Sequence, residues 1–225
     1  MNNSHSHNTL HLLTRMKKIG SSIFADVMAI NNVMDYRVKP VNYSDPLVGR
    51  VRTVSLPKGD NLFLHHAIYQ VEPGDIIVVD GQDYKEAAYL GELMAGAAEA
   101  LGIQGIVIDG LVRDKKELGH LKIQIYAKGF LSSGPSKEGP GSFDTTITCA
   151  GAIVSPYDYI VADEDGVVIV PRENAEEIVE NAEKKLVYEQ NRLETISRYQ
   201  KQESTGDKSA IEPGWLQEKL KKYNL

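Results

Sequence analysis

Cysteine is nearly absent: Cys149 stands alone in 225 residues, so no disulfide can close within the chain. A reducing compartment is the simplest expectation. Long apolar runs are missing as well, and nothing approaches the ~18 consecutive apolar residues of a membrane-spanning helix. The opening Met1-Asn2-Asn3-Ser4-His5-Ser6-His7 lacks the apolar core of a signal peptide. These absences predict a cytoplasmic protein that makes no use of a membrane. Surplus positive charge is also lacking: the formal net charge is −6, which argues against a nucleic-acid binder with a basic face. A small anionic substrate stays open, because the field inside a site can oppose the sign of the whole surface. No internal repeat or low-complexity tract is present. The 42% of apolar residues suffices for one domain of ordinary size, with a tail.

Along the chain, residues 1–20 are expected to be a flexible leading segment, frayed over the first ten. Residues 21–171 form the main domain, and 172–225 a carboxy-terminal helix and tail. Residues 21–34 read as a helix capped by Ser21 or Ser22, with Ile23, Val27 and Ile30 on one face. Residues 49–56 alternate as a strand. Pro57-Lys58-Gly59-Asp60-Asn61 is a turn, in which Asp60 or Asn61 opens a helix over 62–69. The apolar runs 76–80, 106–109 and 123–126 are typical of buried strands. The alanine-rich stretch 85–101 reads as helix interrupted by Gly91. A glycine- and proline-rich loop covers 129–141, and 145–149, 159–162 and 167–170 are further strand candidates. Pro171 opens a long charged helix, with Asn174 and Glu177 spaced like a capping box and an apolar stripe reaching almost to Gln200. Residues 202–209 have linker composition, and 211–225 form a tail around Trp215. The alternation of strands and helices favours an α/β fold.

Two stretches carry chemistry. In Tyr89-Leu90-Gly91-Glu92-Leu93-Met94-Ala95 a glycine interrupts a helical pattern, which costs about 1 kcal/mol against alanine and asks for a reason. Close helix packing is one. The other is that the helix begins here, leaving the amides of Glu92, Leu93 and Met94 as donors for a carboxylate at the positive end of its dipole. Asp109-Gly110-Leu111-Val112-Arg113-Asp114 follows a buried strand, and ligands gather at strand carboxyl ends in α/β sheets. Arg113 can grip a carboxylate through two parallel bonds, and Asp114 is a hard oxygen ligand suited to Mg²⁺ or Mn²⁺. An adjacent Arg-Asp pair is commonly a solvated surface pair; an anion site one helix-and-strand unit upstream argues for more.

The remaining candidates are weaker. His5, His7 and His11 lie in the leading segment and make no metal site, and His65-His66 reads as structural. Lys137-Glu138-Gly139-Pro140-Gly141 leans towards lining a pocket. Cys149 reads as a buried small side chain. Asp163-Glu164-Asp165-Gly166 is a tight acidic turn with too few ligands for calcium.

Taken in order, Gly91-Glu92-Leu93, the run from Gly102 to Gly110, Arg113-Asp114 and Lys137-Glu138-Gly139-Pro140-Gly141 resemble the RraA-like family. That family includes the 4-hydroxy-4-methyl-2-oxoglutarate / 4-carboxy-4-hydroxy-2-oxoadipate aldolases. The likeness runs from about Ser21 to Arg172, and the set is specific although no single piece is. The resemblance implies a swivelling β/β/α domain, an αββα sandwich, assembled as a trimer or a dimer of trimers. It implies a metal-dependent lyase that cleaves a 4-hydroxy-2-oxo acid to pyruvate and a second 2-oxo acid, with oxaloacetate decarboxylation as a side activity. In that scheme Asp114 holds Mg²⁺ or Mn²⁺, and Arg113 steadies the enolate. Gly91, Leu93 and Met94 bind the pyruvyl carboxylate together with Arg113, and Glu92 relays a proton through water. Some relatives are regulators that bind an endoribonuclease and lack an Asp after the Arg; Asp114 places this sequence with the catalytic branch. A lyase or dehydratase acting on a sugar-derived acid is a further reading. A methyltransferase is disfavoured, because no glycine-rich S-adenosylmethionine loop is present.

Overall fold

The structure is a computed structural model that describes residues 2–28, 32–42, 45–201 and 208–223. Two compact units are present, Met1–Ala182 and Glu183–Leu225. In the first, helices α1 (Asn2–Met16) and α2 (Ser21–Val27) precede β1 (Lys39–Pro40) and β2 (Leu47–Ser55). Then come α3 (Leu62–Ile68), β3 (Asp75–Leu90), α4 (Glu92–Ala100), β4 (Gly105–Val112), α5 (Lys115–Leu118), β5 (Gln124–Ala127) and β6 (Gly129–Phe130). The short β7 (Ser142–Phe143), β8 (Ile147–Cys149), β9 (Ala152–Val154), β10 (Tyr159–Ala162) and β11 (Val167–Val170) lead to α6 (Ala175–Gln200).

The main sheet has the order β1-β5-β4-β3-β2-β10-β11, with β6 added to β4 and β7 to β2. Its centre, β2-β3-β4-β5, is parallel, and β1, β10 and β11 pair antiparallel at the two sides. Alternation along β3 builds two cores. Ile77 and Val79 pack with Leu64, Ile68, Ala95 and Ala98 of α3 and α4. Ile76 and Val78 point the other way, to a cluster containing the β8-β9 hairpin and Ile160 and Ile169. A sheet covered on both faces reads as continuous apolar runs, which is why the central strands were legible.

Three expectations need correction. The leading residues, expected to be flexible, form α1, because Leu12 and Met16, four apart, are both buried and Arg15 pairs with Glu176. The helix expected over 21–34 stops at Val27, and Ile30 lies outside the described residues. Its first residue is held instead by the acidic turn: Asp163 accepts the Ser21 amide at 2.8 Å and the Ser21 hydroxyl at 2.6 Å. Residues 85–90 are strand rather than helix. Ala88 and Leu90 pair with Leu111 and Val112 of β4, and this pairing overrides the helical propensity of Lys-Glu-Ala-Ala.

The second unit comprises most of α6 and the tail, with α7 at Leu216–Leu220. There Arg192 donates to the carbonyls of Ile211 and Glu212 at 2.6 and 3.3 Å. The expected linker over 202–209 falls largely on 202–207, outside the described residues.

Candidate active site

Strands β3 and β4 run parallel and finish together, with Leu90 opposite Val112. Each leaves the sheet through a pair of residues expected in the site, and the Arg113 amide donates to the Leu90 carbonyl at 2.9 Å, so the two exits stay side by side. On one, Gly91 caps α4, and the first intrahelical bond runs from the Ala95 amide to the Gly91 carbonyl. The helix therefore begins at Glu92. On the other, Asp114 caps α5 in the left-handed region (φ 61°, ψ 46°), a conformation that Asp tolerates better than most residues at a cost of roughly 1 kcal/mol.

That backbone turn sends the Asp114 carboxylate across to the neighbouring exit. Its Oδ2 accepts the Glu92 amide at 2.9 Å and lies 3.8 Å from Arg113 Nε. The approach is close enough to forbid a side chain at 91, since a Cβ there would sit 2.4 Å from Asp114 Oδ2 and 3.1 Å from Arg113. Gly91 is extended (φ −139°), so space rather than backbone freedom requires glycine. Of the three amides expected to bind an anion, Glu92's is occupied by Asp114, and those of Leu93 and Met94 remain as donors.

These groups open onto a cavity of about 250 Å³. Gly91, Leu93, Met94, Arg113 and Asp114 form one wall, Asn61 and His65 of the α3 segment line another, and Pro135 and Lys137 come from the long loop. The lean towards a pocket role for that loop is correct for Lys137. Glu92 differs from the rest of the expected set: its side chain is exposed and off the cavity wall. A second, open hollow on the far side of Arg113 and Asp114 is lined by Lys115, Phe130, Leu131 and Ser132.

The structure brings in two residues that sequence reasoning treated otherwise. From the sequence, Asn61 is expected only to open a helix and His65 to be structural. In fact Asp60 Oδ1 accepts the Leu62 amide at 2.9 Å, which frees the Asn61 side chain. Its Nδ2 donates to the Tyr89 carbonyl at 2.9 Å and contacts Met94 Sδ at 3.2 Å. His65 follows one helical turn later, its amide bonded to the Asn61 carbonyl. Partial burial and then the Lys137 charge push its imidazole below the ordinary histidine value. The spacing of four was a usable signal, since it puts both side chains on one face of a helix.

Asp60 ties α3 to the loop. Its Oδ2 accepts the Ser136 hydroxyl at 2.7 Å and the Glu138 amide at 2.5 Å. Burial pushes the carboxyl up, but the bonds from the Leu62, Glu138 and Gly139 amides and the Ser136 hydroxyl outweigh it and hold the pKa at about 2. We expect Asp60→Ala to cost about 1–3 kcal/mol by leaving those donors unpaired, and to loosen Lys137. Because the folded pKa is depressed, Asp60's contribution is complete above pH 3.8 and is lost as pH falls towards 2. Thermal melts of both proteins from pH 6 to pH 2 should therefore converge at the acid end; a gap that stays constant would refute this account.

A divalent cation fits this donor set. Asp114 Oδ2 is used by Glu92, leaving Oδ1 of a half-exposed carboxylate on the cavity wall. Among the described residues no cluster of three or more His, Cys, Asp or Glu side chains is placed to hold a metal. A lone carboxylate is a donor that Mg²⁺ or Mn²⁺ can use, because a hard cation of this size keeps several waters and takes one or two carboxylates. Away from the site, Cys149 is buried, as the sequence predicted, and burial pushes its thiol well up. Among the described residues no helix is long and apolar enough to cross a membrane.

Comparison with known proteins gives the family. A family model described as RraA-like, Aldolase/RraA, matches residues 21–169. A protein of Halalkalibacterium halodurans, named provisionally as a 4-hydroxy-4-methyl-2-oxoglutarate aldolase, is 33% identical over 84% of this chain and 90% of its own length. A structure from Pseudomonas syringae pv. tomato superposes with a TM-score of 0.73 at 23% identity, covering 84% of this chain and 89% of the other. The RNA-processing inhibitor RraA of Thermus superposes with a TM-score of 0.62 at 28% identity, over 67% of this chain and 92% of its own. The mixed α/β fold is thus that of the RraA-like proteins, as the resemblance implied.

Proposed function

The chain belongs to the RraA-like family, and from that premise we propose that it is a divalent-metal-dependent aldolase. It cleaves a 4-hydroxy-2-oxo acid to pyruvate and a second 2-oxo acid, with oxaloacetate decarboxylation as a side activity. The observation that carries this reading is the Asp114 carboxylate, turned by its left-handed backbone onto the start of α4 beside Arg113. The H. halodurans relative, by its name, points the same way.

Cleavage removes the proton of the substrate's hydroxyl to solvent, turns that carbon into the carbonyl of the second product and leaves a pyruvate enolate, whose charge must be stabilised as it forms. Asp114 would hold Mg²⁺ or Mn²⁺, which when bound would supply Lewis acidity for that charge. The Leu93 and Met94 amides, at the positive end of α4, receive the pyruvyl carboxylate, with Gly91 leaving room for the approach. Arg113 donates to the oxygen on which charge develops, so its contribution grows towards the transition state. Glu92, exposed beside the cavity, reaches the enolate carbon only through a water and relays the proton that completes pyruvate. Oxaloacetate decarboxylation passes through the same enolate, so both activities require the same residues. Assembly into trimers or dimers of trimers is part of this reading.

Pyruvate release from a 4-hydroxy-2-oxo acid and from oxaloacetate tests it. We expect turnover in Mg²⁺ or Mn²⁺, its loss in EDTA, and recovery when metal is restored. Absence of pyruvate from every such acid in either metal would refute the proposal. The likeness to the Thermus RNA-processing inhibitor supports a second reading, a non-catalytic regulator of a ribonuclease. Inhibition of a ribonuclease equally by wild type and Asp114→Ala, with no pyruvate from either, would favour that reading.

A further inference from the structure

The amide of Asn61 is oriented by the chain itself. The Tyr89 carbonyl needs a donor and receives Asn61 Nδ2 at 2.9 Å, so Nδ2 and Oδ1 cannot exchange places. The side chain is only 3% exposed, and it lines the cavity that holds Arg113 and Asp114. Its Oδ1 is left buried without any hydrogen-bond partner. Buried polar groups without a partner are uncommon and costly, and at a ligand cavity such an atom marks what the ligand must bring. Oδ1 is a pure acceptor, so the ligand must bring a donor.

The proposed substrates offer little choice. A 2-oxo acid presents carboxylate and keto oxygens, all acceptors, whereas a 4-hydroxy-2-oxo acid adds one O–H. Resting on the function proposed above, we infer that Asn61 Oδ1 accepts a hydrogen bond from the substrate's hydroxyl and is the residue that selects hydroxy acids over their deoxy counterparts. Asn61 is a binding and specificity residue: it cannot take the proton, and it acts on affinity more than on the bond-breaking step. The physical basis is asymmetric discrimination. A site that satisfies a buried acceptor with a substrate hydroxyl rejects the analogue lacking it, because that analogue reburies the acceptor unpaired.

The test is a two-by-two comparison of wild type and Asn61→Ala, each with a 4-hydroxy-2-oxo dicarboxylic acid and with 2-oxoglutarate, which has no hydroxyl to donate. Apparent affinity is read as KM for the first and as the inhibition constant for the second. Wild type should prefer the hydroxy acid by about 10–100-fold, and the variant should prefer it by less than about 3-fold, with KM raised far more than kcat is lowered. The affinity for 2-oxoglutarate serves as the internal control for folding. Should Asn61→Ala bind neither acid, Asn61→Ser replaces it. No preference in the wild type overturns the inference without any variant. Equal weakening towards both acids overturns it too. If wild type releases no pyruvate from any acid, the proposed function fails; if it releases pyruvate but shows no preference, only this inference fails.

Discussion

Asp114→Asn should lower pyruvate release about 10³-fold from either substrate and change the melting temperature little. Asparagine is chosen over alanine for two reasons visible in the structure. It tolerates the left-handed conformation at φ 61°, and its side-chain oxygen still accepts the Glu92 amide now held at 2.9 Å. The junction between the two strand exits is thereby kept, and what disappears is the negative charge. An uncharged amide is a poor ligand for Mg²⁺ or Mn²⁺, and among the described residues no metal-ligating cluster stands by to replace it. The expected size follows from losing one electrostatic stabiliser of a developing oxyanion, which costs 10²–10³ in related chemistry, with weaker metal binding added. Isothermal titration with Mn²⁺ should show the affinity falling in parallel. A variant that melts normally, binds Mn²⁺ normally and still turns over would remove Asp114 from the site.

The legibility of this chain in its sequence divides along physical lines. The buried parallel strands were readable because both faces are covered, so Ile76-Ile77-Val78-Val79 and Ile106-Val107-Ile108 stand out as unbroken apolar runs. Residues 85–90 were not, because nothing local distinguishes Lys-Glu-Ala-Ala in a strand from the same residues in a helix; the pairing with β4 decides. The leading helix was missed for the opposite reason. Its start is polar throughout, and among the residues whose burial is described only Leu12 and Met16 are buried in it. In the site, Gly91, Arg113 and Asp114 could be named because their chemistry is strong and their motif is specific. Asn61 and His65 stayed hidden because Asn is a good helix opener and His a common helix residue, and only the partition of duties with Asp60 shows otherwise. Glu92 is named from resemblance alone, and its side chain is exposed and off the cavity wall.

The glycine that first drew attention to this region gives the other large prediction. Gly91→Ala should reduce pyruvate release by at least about 10²-fold without unfolding the protein. Its backbone is extended, so alanine meets no conformational penalty there. The obstruction is a methyl group placed 2.4 Å from Asp114 Oδ2 and 3.1 Å from Arg113 Nε, and one of these must move by roughly an ångström to relieve it. A displacement of that size in a group that positions substrate is enough for a 10²-fold loss. Gly96, one turn further along α4, supplies the contrast, since a Cβ there meets nothing within 4 Å. Gly96→Ala should stabilise the helix by up to about 1 kcal/mol and leave turnover unchanged. The pair separates two roles that a glycine in a helical pattern can play. If Gly91→Ala melts early and keeps its turnover per folded molecule, the glycine serves packing. If it melts normally and is inactive, the glycine exists to let a carboxylate, an arginine and a helix start share one small space.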